Sequence, residues 1–252
     1  MKTLILGGTG EARELARIAT GEPGFDIVSS LAGRVRDPVL PVGAVRVGGF
    51  GGVAGLSEWL AANGIEAVVD ATHPFAEVIS GHAAAAATAL GLPLVQLRRP
   101  GWTAGPGDRW IRVPDLAAAA KTVAEQGERV FLTIGRQGVA AFAGLTRPWF
   151  LIRAIDPPTG ALPPRHELLL ARGPFTRTEE TRLLADRRID LLVTKDSGGD
   201  RTEAKLAAAR AAGLPVVVIE RPPLPDGAVP METVAQVWDW LRAQRSAAEQ
   251  LG

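Results

Sequence analysis

Cysteine and tyrosine are both missing from the 252 residues, and histidine occurs only three times. Without thiols the chain has no disulfide, no thiolate metal site and no cysteine nucleophile. Without tyrosine it lacks the Tyr–Lys pair that many short-chain dehydrogenases use for proton transfer. An excess of one charge is also lacking: 28 basic residues face 27 acidic ones, a formal +1. A nucleic-acid partner would call for a basic face or stripe, so none is expected. Long apolar runs are absent too. The apolar part of MKTLILGGTG is too short for a signal peptide, and Ala83–Ala87 lies in an amphipathic segment beside His82 and Thr88. No segment would span a bilayer. The expected location is the cytoplasm, with no membrane partner. What remains, 46% apolar and 22% charged residues, is the composition of a globular protein with one large domain or two compact ones.

Short apolar runs alternate with alanine-rich helical segments along the chain. Strands are expected at Thr3–Leu6, Asp26–Leu31, Ala44–Val47, Ala67–Ala71, Leu94–Leu97, Arg129–Ile134, Trp149–Ile155, Asp190–Thr194 and Val216–Glu220. Helices are expected at Glu11–Thr20, Val53–Asn63, Glu77–Leu90, Asp115–Gln126, Gln137–Ala143, Thr176–Asp186, Arg201–Ala212 and Thr233–Arg245. This alternation implies βαβ crossovers and parallel sheets. The Gly/Pro-rich stretch 98–114 interrupts it and reads as the boundary between lobes, though a single strand could cross it. The expected architecture is therefore α/β, with two Rossmann-like lobes, residues 1–98 and 99–252, and a cleft between them. Arg221–Pro230 reads as a loop. LILGGTGEARELA and LLVTKDSGGDRTEAKLA echo one another, as two similar lobes would.

The strongest motif is Gly7-Gly8-Thr9-Gly10-Glu11-Ala12, directly after a strand and opening a helix. Glycines there let the backbone approach a pyrophosphate, and free N–H groups at the helix start bind its charge. Arg13 stands where a third glycine would complete G-x-G-x-x-G, and a tight turn without ligand is the competing reading. The second strand ends Ser29-Ser30-Leu31-Ala32-Gly33-Arg34 without the carboxylate that NAD-binding folds place on the ribose. Arg34 and a serine hydroxyl would instead suit the 2′-phosphate of NADPH. Asp70-Ala71-Thr72-His73-Pro74 closes a buried strand. His73 there is a candidate wall of a nicotinamide pocket or a proton donor. His82 and His166 receive no role.

Thr133-Ile134-Gly135-Arg136 and Thr194-Lys195-Asp196-Ser197-Gly198-Gly199 are again strand-to-helix turns. Asp196 and Ser197 fit plain N-caps, whereas Lys195 and Arg136 before such turns make anion sites. Arg172-Gly173-Pro174-Phe175 is a further turn that would face a cleft. These cations suit an acidic substrate.

Taken in order, LILGGTGEARELA, SSLAGR, DATHPFA, TIGRQG, ARGPF and LLVTKDSGG resemble the precorrin-6A reductases of vitamin B12 biosynthesis, the CobK and CbiJ types, over most of the chain. The resemblance implies NADPH-dependent reduction of one carbon–carbon double bond of precorrin-6A to give precorrin-6B, without metal or flavin. By motif it implies that Gly7, Gly8, Thr9, Gly10, Glu11 and Ala12 hold the pyrophosphate. Ser30, Gly33 and Arg34 would hold the phosphorylated ribose, and Thr72, His73 and Pro74 the nicotinamide side. Arg136, Arg172, Lys195, Ser197 and Gly198 would hold the tetrapyrrole. His73, Lys195 and Asp196 are the catalytic candidates, with water as an alternative proton source. Other readings are a reductase of a different small unsaturated substrate and a nucleotide-sensing protein without turnover. The oligomeric state is not fixed by these features; a monomer is the expectation.

Overall fold

The computed structural model describes residues 1–33, 39–199 and 203–251. In chain order its strands are β1 (Lys2–Leu6), β2 (Asp26–Leu31), β3 (Ala44–Val47), β4 (Ala67–Asp70), β5 (Leu94–Leu97), β6 (Arg109–Val113), β7 (Arg129–Thr133), β8 (Trp149–Ala154), β9 (His166–Leu170), β10 (Leu191–Lys195), β11 (Pro215–Ile219) and β12 (Val229–Met231). The helices are α1 (Gly10–Thr20), α2 (Gly52–Ala62), α3 (Glu77–Leu90), α4 (Leu116–Gln126), α5 (Arg177–Asp186), α6 (Ala204–Ala211) and α7 (Val234–Leu251), with a 3-10 helix at Arg136–Phe142. Two compact units result: Met1–Arg99 with Pro222–Gly252, and Pro100–Arg221.

The first unit is a parallel sheet in the order β12-β5-β4-β1-β2-β3. Its central strands are mostly apolar and buried, because helices cover both faces, with Thr3 and Asp70 as buried polar exceptions. One face packs Ile5, Val69 and Val95 under α1 and α7, and the other packs Leu4, Leu6 and Val68 under α2 and α3. Helix α1 buries Ala12, Leu15, Ala16 and Ala19, the spacing of one helical stripe. Helix α3 presents small side chains, Ala83 and Ala86, which let it lie close to the sheet.

The second unit is a parallel sheet in the order β6-β11-β10-β7-β8-β9. Phe131, Leu151, Leu192 and Val218 pack there against Leu184 of α5 and Leu206 of α6. Strands β7 to β11 occupy the same places in this sheet as β1 to β5 in the first. The sixth strands are exchanged. β6 follows β5 in the chain but pairs with β11, and β12 follows β11 but pairs with β5.

This exchange corrects the expectation that residues 99–252 form one lobe. Pro222–Gly252 belongs to the first unit because β12 extends its sheet and Val237 and Leu241 of α7 are fully buried in its core. Such burial is worth roughly 1.5–3 kcal/mol per side chain, which outweighs adjacency along the chain. It also corrects one local reading, since Val229 and Pro230 begin a strand; the single strand that could cross the stretch 98–114 is β6. The sequence echo proves out of register. LIL lies on β1 and LLVTK on β10, whereas by sheet position β10 corresponds to β4 and β7 to β1.

Candidate functional site

In a parallel α/β sheet, ligand-binding turns gather where the strands end and the helices begin. At the end of β1 the Gly7 N–H donates to the Ser30 carbonyl at 2.9 Å, which ties the turn to β2. On the other side the Thr9 hydroxyl donates to the Ala71 carbonyl at 2.8 Å, beyond β4. The same oxygen accepts the Ala12 N–H at 3.1 Å, so Thr9 is the N-cap of α1. Gly8 adopts φ +115°, and a Cβ there would meet nothing within 4 Å. The turn thus combines backbone that only glycine adopts readily, open space beside it, and a helix start whose first N–H groups have no intrahelical acceptor. Those features fit the pyrophosphate of a dinucleotide. The close packing usually supplied by a third glycine falls to Ala12 and Ala16, both buried, while Arg13 sits on the half-buried flank. Glu11 in the first turn pairs with Arg99 at 3.1 Å.

Ser30 is nearly buried at the end of β2, and Gly33 adopts φ +69°. Arg34 lies outside the described residues. A cation that sequence reasoning missed stands close by. Arg46 on β3 donates from Nη1 to Ser30 Oγ at 3.3 Å and to the Gly48 carbonyl at 2.7 Å. Its Nη2 donates to the Gly49 carbonyl at 2.6 Å, and the guanidinium stacks 3.6 Å from the Phe50 ring centroid. The signal available in the sequence was an arginine one strand on, before a second glycine cluster, GGFGG.

The turn after β4 is pre-formed. The buried Asp70 carboxylate accepts the Thr72 N–H at 3.1 Å, the Thr72 hydroxyl at 2.7 Å and the Gln96 amide at 2.9 Å. Thr72 therefore supports the turn, and its hydroxyl proton is engaged with Asp70 rather than offered to a cofactor. Pro74 is buried, and His73 Nδ1 accepts the Phe75 N–H at 3.2 Å. The neutral tautomer required by that bond carries its proton on Nε2.

In the second unit Lys195 ends β10, and burial pushes its ammonium pKa down. That makes it a better proton donor than a surface lysine. Asp196 is placed otherwise than expected of a catalytic acid. It is buried, accepts the Trp102 N–H at 2.9 Å and Arg112 Nη1 at 3.3 Å, and lies 4.0 Å from Arg221 Nε. Its carboxylate anchors the 100–102 segment to the loop after β10. The Ser197 N–H donates to the Lys195 carbonyl at 2.7 Å. Gly198 has φ +64°, and a Cβ on it would lie 2.1 Å from the Pro100 carbonyl oxygen. Arg136 pairs with Asp156 at 3.8 Å, and Arg172 is exposed. Behind these turns Arg153 and Glu180 form a buried ion pair, with Phe175 on the guanidinium at 3.8 Å and the fully buried Lys205 over Trp102 at 5.0 Å. Among the described residues no group of three or more potential ligands could hold a metal, and no helix is long and apolar enough to cross a membrane.

The family model for the precorrin-6x reductases CbiJ/CobK matches residues 2–242. The chain belongs to that family. It is 58% identical over 240 residues to the precorrin-6A reductase of Rhodococcus erythropolis, covering 95% of this chain and 97% of the relative. It is 54% identical over 242 residues to that of Mycobacterium tuberculosis, with 95% and 97% covered. The cobalt-precorrin-6A reductase of Priestia megaterium is 27% identical over 238 residues, covering 90% and 92%. A solved CobK precorrin-6A reductase superposes with a TM-score of 0.90 at 44% identity, over 97% of each chain. The two Rossmann-like units are thus the architecture of the CbiJ/CobK family, and the turns described above are its strand ends.

Proposed function

We propose that this chain reduces one carbon–carbon double bond of precorrin-6A in cobalamin biosynthesis, acting in the cytoplasm as a monomer with NADPH as reductant. The observation that carries the reading is full-length identity of 58% to a protein named precorrin-6A reductase. The 27% identity to the cobalt-precorrin enzyme favours the metal-free macrocycle. When bound, NADPH supplies the hydride. The chain's own residues hold, orient and protonate. Gly7, Gly8, Gly10 and the N–H groups at the start of α1 receive the pyrophosphate, with Thr9 keeping the turn in shape. Ser30, Gly33 and Arg34 take the phosphorylated ribose, and His73 and Pro74 form a wall beside the nicotinamide.

Lys195, Ser197 and Gly198, with Arg136 and Arg172, meet the carboxylates of the tetrapyrrole. The proton that balances the hydride comes to the neighbouring carbon from His73 Nε2, from the Lys195 ammonium or from water. The test is anaerobic incubation of the purified chain with precorrin-6A and NADPH, read by loss of NADPH absorbance and by a product two hydrogens heavier. NADPH binding without turnover on precorrin-6A would support a nucleotide sensor instead. Turnover of cobalt-precorrin-6A alone would reassign the substrate. A preference for NADPH over NADH that survives Arg34→Ala would remove Arg34 from the site.

A further inference from the structure

Asp70 is a buried carboxylate that forms no ion pair among the described residues. It ends β4 on the same face as Val68, which packs under α2 and α3 with Leu4 and Leu6. Its hydrogen-bond donors are all neutral: the Thr72 N–H, the Thr72 hydroxyl and the Gln96 amide. Ser80 of α3 completes the group, its hydroxyl oxygen 3.3 Å from Gln96 Nε2 and 3.4 Å from the Thr72 hydroxyl. Asp70, Ser80 and Gln96 are all buried, and Gln96 Oε1 has no hydrogen-bond partner there. A carboxylate held out of water is costly even when hydrogen-bonded, and the cost falls when a cation comes near.

The turn after β4 offers two places for that positive charge, the His73 ring and a ligand beside it. His73 Nδ1 accepts the Phe75 N–H at 3.2 Å, so a second proton on the ring would break that bond. The charge is therefore left to the ligand. Transfer of a hydride from NADPH breaks the nicotinamide C4–H bond with both its electrons and forms a C–H bond on the macrocycle. A proton joins the neighbouring carbon, and one positive charge stays on the nicotinamide ring. Asp70 precedes His73 by three residues, which puts their backbones at most roughly 11 Å apart.

We propose that Asp70, held by Gln96 and Ser80, is a fixed counter-charge for the oxidised nicotinamide and so favours departure of the hydride. A charge set in place before the reaction stabilises the opposite charge as it develops, without reorganisation. The inference rests on the reading that His73 and Pro74 wall the nicotinamide. It gives a role to the charge of Asp70, apart from the shape that its hydrogen bonds give the turn. The alternative is a network that only shapes the turn.

Calorimetric titration of the full chain with NADPH and with NADP⁺ separates these roles. Asp70→Asn removes the charge and keeps the shape, because rotation of the Gln96 amide offers its unpartnered Oε1 to the new N–H. It is expected to weaken NADP⁺ by about 4- to 30-fold, the effect of one unit charge at roughly 8–10 Å and an effective dielectric of about 20–40. NADPH should stay within about twofold. Gln96→Lys sets an ammonium against the carboxylate and should give the same selective loss by the opposite chemical change. It decides the matter if Asp70→Asn fails to fold. Equal weakening of both cofactor forms would show a turn-shaping network and overturn the proposal, as would unchanged affinity for both. A selective loss in Gln96→Lys that a folded Asp70→Asn does not share belongs to the new cation and overturns it too. An unsubstituted chain that binds neither form would overturn the cofactor reading itself, a distinct result.

Discussion

The Thr9 hydroxyl donates to the Ala71 carbonyl at 2.8 Å while accepting the Ala12 N–H at 3.1 Å. One side chain therefore closes α1 and fastens the glycine turn to the segment that carries His73. Thr9→Val keeps the shape and removes both bonds. Loss of the N-cap alone should cost about 1 kcal/mol of stability. NADPH affinity should fall as well, because the turn loses its anchor, and Thr9→Ser should restore both. Urea unfolding and fluorescence titration of NADPH would measure the pair of effects.

Gly8 and Gly198 both have positive φ, yet alanine should act on them differently. At Gly198 the new Cβ would lie 2.1 Å from the Pro100 carbonyl oxygen and 2.4 Å from Arg221 Nη2. Backbone has to move, so Gly198→Ala should cost about 2–4 kcal/mol. At Gly8 nothing stands within 4 Å, so Gly8→Ala carries backbone strain alone, on the order of 1–3 kcal/mol. Its larger effect should be on cofactor binding, where the methyl occupies the space of a phosphate. A Gly8→Ala variant with unchanged NADPH affinity would remove the phosphate from that place.

Asp196 faces the Trp102 N–H, Arg112 and Arg221. Asp196→Ala leaves these groups without their anion and should destabilise the chain by about 2–3 kcal/mol. Asp196→Asn keeps one acceptor and should retain most turnover. A loss of several orders of magnitude in kcat for Asp196→Asn, with stability intact, would restore the residue to the catalytic list.

His73 and Lys195 are the remaining candidate proton donors. If one of them protonates the substrate, His73→Gln or Lys195→Ala should lower kcat by about 10²–10⁴-fold with NADPH affinity unchanged. The pH profile of the unsubstituted enzyme should lose its corresponding limb in the variant. Unaltered kcat and KM in both would leave water as the proton source.

Lys205 is fully buried, and burial first, then the nearby Arg153, lowers its pKa from 10.5 to about 7, with Glu180 pulling the other way. Between pH 7 and 10.5 the unfolded chain holds this proton and the folded chain does not. Stability therefore rises with pH across that window, by at most about 1.4 kcal/mol per pH unit from this group. Below pH 7 both states are protonated and the gain is absent. Lys205→Met removes the dependence, so the stability difference between variant and parent should favour the variant most near pH 6 and shrink toward pH 10. A difference that is flat with pH would show that Lys205 keeps an ordinary pKa.

The alternation of apolar runs and alanine-rich helices, the glycine turn after β1 and the caps are local features, decided by residues a few positions apart. Two parallel α/β units and a glycine turn opening a helix were legible for that reason, as was the ordered set of motifs that marks the family. Other facts depend on pairings far apart in the chain. Asp196 reads as a catalytic candidate until Trp102, 94 residues away, is seen to donate to it. Arg46 is one surface arginine among many until β3 lies beside β2 and brings it to Ser30. The exchange of β6 and β12 turns on which sheet edge each strand pairs with. An edge pairing is chosen by backbone hydrogen bonds and the burial of α7, and short strands such as Val229–Met231 carry too little pattern to announce it. Local residue patterns were enough to specify the elements, whereas long-range pairings decided which charges, such as Asp196, serve as structural anchors.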